Sequence, residues 1–159
     1  MAASTMAKGS TNDRQVTLQV NVAPGDLPHA GHTLAHHLRR WESQVAGVIY
    51  TLDLRQSAGP RGARFDEYRP GMMKLLGALV DAAPERRRLL EVDYGAAAAH
   101  QVADEFFGGA SVPSKDCFGA PFHPYFFGLL SVPTRYVLHM DCDMLFGGGA
   151  GTWLSERMG

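Results

Sequence analysis

Apolar segments typical of strands and of helices alternate along the chain. Short runs rich in Val, Ile, Leu and Tyr predict strands, because β-branched and aromatic side chains favour the pleated backbone. Longer segments repeat an apolar residue every three or four positions, which is the spacing of one helical face. The predicted strands span residues 16–23, 48–54, 89–94 and 135–140, and the predicted helices cover residues 34–45, 65–81, 96–107 and 125–130, with a last one from residue 153.

The order of these elements predicts an α/β fold with a mostly parallel central sheet. Helices between strands connect parallel neighbours, and strands that are apolar throughout are buried on both faces. We therefore expect helices on both faces of the sheet, in a Rossmann-like arrangement. Three arginines, Arg86 to Arg88, precede the third strand and are expected to form a solvated edge.

Acidic residues fall at the carboxyl ends of all four predicted strands. They are Asp26, Asp53, Asp93, Asp141 and Asp143. Ligands of open parallel sheets bind at the carboxyl ends of the strands. Carboxylates at that edge favour a divalent cation, which is how an acidic site can hold a phosphorylated substrate.

The sharpest local pattern is Asp141-Cys142-Asp143, directly after the fourth strand. In extended backbone, residues two apart project to the same side. Asp141 and Asp143 can therefore face one Mn²⁺ or Mg²⁺ ion, which would bridge diphosphate oxygens, while Cys142 faces away. The alternative is a strand-end turn with solvated acids, since this spacing is common by chance. The apolar strand before it and the glycines at 147–149 favour the metal site.

Composition narrows the class of protein. A chain of 159 residues with 45% hydrophobic residues suits one globular domain. The net charge of −1 offers no basic surface for nucleic acid or anionic membranes, and no apolar stretch is long enough for a membrane span. Two distant cysteines form no disulfide framework, which favours a cytoplasmic location. Residues 1–13 are small and polar, and predict a disordered leader before a domain at residues 14–159.

Four short sequences, together with the strand order, resemble a known enzyme family. They are VDY at residues 92–94, FFGG at 106–109, YFFG at 125–128 and YVLHMDCDM at 136–144. The chain looks like the nucleotide-sugar half of a GT-A glycosyltransferase, specifically a family 2-like inverting enzyme, from about residue 16 to its end. The resemblance implies a GT-A-like fold and metal-dependent transfer of a sugar from a nucleotide-diphosphate sugar. The acceptor is left unidentified.

The resemblance also implies roles for single residues. Asp53 stands where the family hydrogen-bonds the nucleotide base. Asp141 stands where the family contacts ribose or sugar, and Asp143 where it binds the metal, with Asp141 beside it. The turn Ala23-Pro24, after the first strand, would form a wall of the nucleotide pocket.

Two further residues are candidates for the nucleotide site, each with an alternative role. Lys115 precedes the fourth strand and would pair either with a phosphate or with an acid in a surface ion pair. Asp93 would either line the nucleotide site or cap the helix that follows Gly95.

The chain departs from the family after the Asp-Cys-Asp motif. The family places its catalytic base, an Asp or Glu, well downstream, and no base is identifiable before Gly159. The domain is therefore expected to be partial: a fragment, a remnant, or a subunit that acts with a partner chain or a second copy. The alternative functions are a non-catalytic nucleotide-binding module and a nucleotidyltransferase. The short acidic turn at residues 24–26 weighs against the latter, which usually carries a Gly-rich basic loop there.

Histidines concentrate before and within the first helix, at positions 29, 32, 36 and 37. His32 and His36 share a helical face and could chelate zinc, but no third ligand is apparent, so solvated or capping roles are favoured. His139 faces the same side as Asp141 and is expected to be packed or hydrogen-bonded. Neither cysteine has a His–acid arrangement nearby, so no thiol nucleophile is expected.

Overall fold

The fold is a four-stranded parallel sheet with helices on both faces. The computed structural model describes residues 15–116, 120 and 122–147, apart from the side chain of Arg61. The strands are β1 (Val16–Val22), β2 (Gly47–Leu52), β3 (Arg87–Glu91) and β4 (Tyr136–Asp141). The helices are α1 (Leu27–Trp41), α2 (Phe65–Asp81), α3 (Ala96–Phe107) and α4 (His123–Leu130), and short 3₁₀ turns lie at Pro24–Asp26 and Gly59–Gly62.

The strand order is β3-β2-β1-β4, and all three pairings are parallel. The first three strands progress to one side, and β4 returns to the other side of β1. This is the order of the first four strands in Rossmann-like, doubly wound folds, and it creates a topological switch point between β1 and β4. The predicted α/β class and parallel sheet are confirmed.

One face of the sheet carries the apolar core. Side chains of β1, β2 and β4 alternate, and their even-numbered positions meet α1 and α2. The core consists of Val16, Leu18, Val20, Val22, Ala30, Leu34, Trp41, Val45, Val48, Tyr50, Leu52, Met72, Leu76, Met140 and Cys142. This face therefore supplies most of the hydrophobic stabilisation.

The opposite face of the sheet lies under α4, and it is polar but equally buried. All seven residues of β1 are buried, including Thr17, Gln19 and Asn21 on this face. Helix α4 approaches closely because Gly128 has no side chain: a Cβ there would lie 2.7 Å from the Thr51 hydroxyl oxygen and would also collide with Gln19. The strands were predicted as apolar runs, and β1 instead alternates between an apolar and a polar buried face.

The helix predictions agree best where caps and periodicity coincide. Helices α2 and α3 have the predicted bounds, and α3 ends where Gly108 adopts a φ of 60°, a left-handed conformation that favours glycine. Helix α1 begins at Leu27, with Pro28 in its first turn, where the missing N–H group is tolerated. It ends at Trp41, so Val45 joins the core from the following turn.

Strand β3 begins earlier than predicted, and Arg86 and Arg87 are held by hydrogen bonds whereas Arg88 is exposed as expected. Arg87 lies in the strand and donates to the Glu42 carboxylate, with Nε 2.6 Å from Oε1. Arg86 donates to the carbonyl oxygens of Glu42 and Val45, at 2.9 Å for the latter. These bonds join β3 to the end of α1 at the amino edge of the sheet.

Several sequence expectations lie outside the described residues: the leader at 1–13, Cys117, the glycines at 148–149 and the helix from residue 153. Among the helices that are described, none has the length and apolar character that crossing a bilayer requires.

Candidate functional site

A cleft of about 860 Å³ opens at the carboxyl ends of β1, β2 and β4. This is the switch point of the sheet, where ligands of such folds bind. Its floor carries Asn21, Thr51 and His139, and its acidic lining consists of Asp26, Asp53, Asp141 and Asp143. A second wall comes from residues 57–68, before and within α2.

Asp141 and Asp143 line the same cleft, whereas Cys142 points into the core. Strand β4 ends at Asp141, and a turn follows in which the Met144 N–H donates to the Asp141 carbonyl at 3.1 Å. The Cys142 side chain is buried, with its Sγ 3.7 Å from the Thr33 hydroxyl. Burial raises the pKa of the Cys142 thiol to about 12. The thiol is therefore protonated at neutral pH. The prediction rests on extended backbone, whereas residues 142 and 143 form a turn that still leaves both acids on the cleft.

Two neighbours hold the Asp141 carboxylate. His139 Nε2 lies 3.5 Å from Asp141 Oδ1, and Asn21 stands opposite Asp141 where β1 pairs with β4. The contact with His139 lowers the pKa of Asp141, and burial opposes this effect. The charge of a protonated His139 and the Asn21 side chain lower the pKa of Asp141 further. The Asp141 side chain is 55% exposed, so a charged carboxylate faces the cleft.

A buried hydrogen-bond network stands behind Asp141 on the polar face. Gln19 Nε2 donates to Asn21 Oδ1 at 2.7 Å and to the Thr51 hydroxyl at 2.9 Å. Its Oε1 accepts a hydrogen bond from His139 Nδ1. This bond places a proton on Nδ1 and fixes the orientation of the His139 ring, whose Nε2 faces Asp141 and donates to it only when the ring carries both protons. His139 is thus hydrogen-bonded, as predicted.

The contribution of β1 to this site was missed from the sequence. Asn21 received no role, and Gln19 was not considered. A signal exists in VTLQVNV: alternating polar residues in a strand with neighbours and helices on both sides must be buried, and buried polar groups need partners.

Asp26 brings a third carboxylate to the cleft. Its Oδ2 accepts a hydrogen bond from the Ala23 N–H at 2.8 Å, which closes the turn after β1. Burial raises the pKa of Asp26, and the negative charges of Asp143 and Asp141 raise it further. Three carboxylates therefore interact across this end of the cleft.

The carboxylates suit a hard divalent cation whose coordination a substrate completes. Within the part of the chain that the structure describes, no three His, Cys, Asp or Glu side chains are grouped to hold a metal by themselves. Mg²⁺ and similar ions are commonly held by one or two carboxylates together with substrate phosphates and water. Asp141 and Asp143 meet that requirement because both are exposed on the cleft.

Asp53 and Lys115, predicted as separate contacts, pair with each other. Lys115 Nζ forms an ion pair with Asp53 Oδ2, and the Tyr94 hydroxyl donates to Oδ1 at 2.7 Å. The Arg55 N–H also donates to Oδ1, at 2.9 Å. Only 5% of the Asp53 side chain and 17% of the Lys115 side chain are exposed. Lys115 therefore makes the ion pair of its alternative role, although inside the cleft and not on the open surface.

Asp93 and Pro24 lie next to the cleft and do not line it. Asp93 Oδ1 accepts a hydrogen bond from the Gly95 N–H at 2.7 Å, which closes a local turn before α3. The helix itself has no side-chain cap, since its N-cap residue is Gly95. Pro24 is buried, whereas Ala23 of the same predicted turn lines the cleft together with Gly25.

Comparison of the chain with protein-family models, with curated proteins and with solved structures gives no match.

Proposed function

We propose that this chain binds a nucleotide-diphosphate sugar together with Mn²⁺ or Mg²⁺, and that it acts in transfer of the sugar to an acceptor hydroxyl. The observation that carries the proposal is the position of Asp141 and Asp143: both line a cleft at the switch point of a parallel sheet. The sequence resemblance to GT-A glycosyltransferases supports the same function.

The charges in the cleft argue for a cation. Asp26, Asp141 and Asp143 would repel a diphosphate, because like charges within the cleft raise each other's energy. A divalent cation between the carboxylates and the phosphates reverses this repulsion. The proposed ligand should therefore bind well only when the metal is present.

The polar groups of the cleft are spaced for an extended nucleotide. Asp53 follows β2 and Asp143 follows β4, with β1 between these strands. Neighbouring strands lie ~4.8 Å apart, so the two groups stand about 10 Å apart across the sheet. We assign the Asp53–Lys115 pair to the base and Asp141–Asp143 to the diphosphate. A cleft of about 860 Å³ is large enough for such a ligand.

Transfer would proceed by direct displacement at the anomeric carbon, with inversion: the acceptor oxygen forms the new bond as the bond to the diphosphate breaks. The downstream Asp or Glu that the resemblance implies would take the acceptor's proton. The bound cation would neutralise the charge that develops on the departing diphosphate. His139 and Asn21 would keep Asp141 charged and oriented during this step. The Asp53–Lys115 pair would hold the base, so that the sugar lies at the opposite, acidic end of the cleft.

Calorimetric titration with UDP and with GDP, each with and without Mn²⁺, tests the binding step. We expect one nucleotide to bind in a Mn²⁺-dependent manner and the Asp143→Asn variant to lose that dependence. Asp81→Asn is the matched control, because Asp81 is an exposed acid at the end of α2, outside the cleft. If neither nucleotide binds under any condition, the proposal is wrong.

Release of UDP or GDP from the corresponding nucleotide sugars tests the transfer step. Mn²⁺-dependent release that is lost in Asp143→Asn and kept in Asp81→Asn supports a glycosyltransferase. Binding without release, with simple sugars offered as acceptors, would instead favour the non-catalytic nucleotide-binding module.

A further inference from the structure

Two consecutive histidines of α1 contact the backbone that follows the Asp-Cys-Asp motif. His37 Nε2 lies 2.6 Å from the carbonyl oxygen of Met144, and His36 Nε2 lies 3.0 Å from that of Phe146. A carbonyl oxygen only accepts hydrogen bonds, so both imidazoles donate from Nε2. The histidine cluster singled out in the sequence thus has a place that zinc binding does not explain.

A ring contact supports the same attachment. The rings of Trp41 and Phe146 pack edge to face, with their centroids 5.9 Å apart. His37 and Trp41 stand four residues apart, so they share one face of α1. Met144 to Phe146 form no helix or strand and are exposed, with Leu145 at 64%. Helix α1 is therefore the rigid element to which this segment is fixed.

The burial of His37 indicates that its hydrogen bond is the reason for its presence. His37 is 1% exposed, and its Nδ1 is buried with no hydrogen-bond partner among the described residues. Burial lowers the pKa of His37, which favours the neutral ring. An apolar residue would fill this position without an unpaired nitrogen. The bond to Met144 is what the imidazole adds.

We infer that His36 and His37 are positioning residues: they fix the backbone at Met144 and Phe146 and thereby hold the adjacent Asp143 on the cleft. This inference rests on the proposed function, in which Asp143 binds the cation. Asp141 belongs to β4 and is fixed by the sheet, whereas Asp143 lies beyond the strand. Release of the segment would therefore move one of the two metal ligands and leave the other in place.

Substitutions of these histidines separate positioning from folding. His37→Leu keeps the buried volume and removes the donor, whereas His37→Gln keeps an N–H at similar reach. His36→Leu removes the second donor at a partly exposed site, so it serves as the test if His37→Leu does not fold. His32→Leu, at an exposed position one turn earlier in α1, is the control.

The measurements are the Mn²⁺-dependent and the metal-free affinity for UDP or GDP, and hydrogen exchange of residues 144–147. We expect the Leu variants to weaken the Mn²⁺-dependent affinity about tenfold, as loss of a group supporting a metal ligand commonly does. The metal-free affinity and exchange in β1 should stay unchanged, exchange at 144–147 should rise, and His37→Gln should restore much of the loss.

Two failures are distinguishable. If wild-type protein binds no nucleotide with Mn²⁺, the proposed function fails and this inference fails with it. If wild-type protein binds, and both Leu variants match His32→Leu in affinity and in exchange, only the positioning role is wrong.

Discussion

The two faces of the sheet are equally buried but built from different chemistry. The face under α1 and α2 is hydrocarbon, with Leu18, Val20 and Val22 of β1 at its centre. The face under α4 carries Gln19, Asn21 and Thr51, joined by hydrogen bonds to one another and to His139. The first face forms the apolar core, whereas the second leads to Asp141 and the open cleft.

This difference separates stability from site geometry. Hydrocarbon side chains stabilise in proportion to buried area, with little dependence on direction. Buried polar groups must each find a partner at a set distance and angle, so they define one arrangement. Changes to the apolar face should therefore alter the free energy of unfolding, and changes to the polar face should also alter the cleft.

The largest expected effect is on the apolar face, in Leu34→Ala. Leu34 is completely buried in α1, so the variant loses its transfer energy and leaves a cavity, at about 2–5 kcal/mol in unfolding free energy. Urea denaturation measures the loss. The Mn²⁺-dependent nucleotide affinity of the folded protein should match wild type; a parallel fall in affinity would show that the two faces are not separate.

The corresponding test on the polar face is Gln19→Met, which keeps the volume and removes three hydrogen bonds. His139, Asn21 and Thr51 each lose a partner, so we expect a loss of about 1–3 kcal/mol in urea denaturation. Unlike Leu34→Ala, this variant should also weaken Mn²⁺-dependent binding, because His139 no longer holds Asp141.

Ile49→Val is the control for Gln19→Met. Ile49 lies beside Gln19 on the same face and is 2% exposed. The Ile49→Val variant should lose some stability and keep its Mn²⁺-dependent nucleotide affinity. Equal affinities in Gln19→Met and Ile49→Val would contradict a role of the network in the cleft.

A smaller effect is expected at the rim of the apolar face, where Glu42 and Arg87 pair. The hydrogen bond from Arg87 lowers the pKa of Glu42 below its ordinary value of 4.5. The pair therefore stabilises at pH above that value, and the stabilisation is lost as pH falls through the lowered pKa. At neutral pH, Glu42→Gln should lose about 1 kcal/mol, since the pair is partly exposed.

Thermal unfolding at neutral pH and at successively more acid pH measures this contribution. The difference in Tm between wild type and Glu42→Gln should shrink as Glu42 becomes protonated in the folded protein. A difference that stays constant across this range would show that the ion pair is not its cause.

The smallest effect is expected at Tyr50, the single hydroxyl side chain in the apolar core cluster. Tyr50 is 1% exposed, and its hydroxyl has no hydrogen-bond partner among the described residues. Tyr50→Phe removes that unpaired group, so the variant should be as stable as wild type or up to about 1 kcal/mol more stable. A clear destabilisation in urea would indicate that the hydroxyl has a partner, such as a buried water.

The sequence predicted elements better than it predicted contacts between them. Helix α2 was predictable from its periodicity, and α3 from its periodicity together with the glycines at its two ends, since both are local signals. The Asp53–Lys115 pair joins residues 62 positions apart, and the Arg87–Glu42 pair joins residues 45 positions apart. No local pattern records such pairings, so the sequence predicts a solvated edge for the arginines and leaves Lys115 with either a phosphate or an acid as its partner.

The site was predictable to the extent that strand ends mark it. The acids at the ends of β1, β2 and β4 do meet in one cleft, because parallel strands present their carboxyl ends together. Which residues face the cleft depends on turn geometry, and so Ala23 and Gly25 line it while Pro24 does not. The role of α1 depends on its contacts with Met144 and Phe146, which exist only in the assembled fold.

The separation of β1 and β4 along the chain determines when, during synthesis, the cleft can form. Gln19 and His139 stand 120 positions apart, so β1 leaves the ribosome on the order of ten seconds before the strand that completes the cleft. During that time one edge of β1 is open to other strands or to a chaperone. A ligand of the cleft can recognise only chains in which β4 has docked, so it would favour the finished fold by mass action.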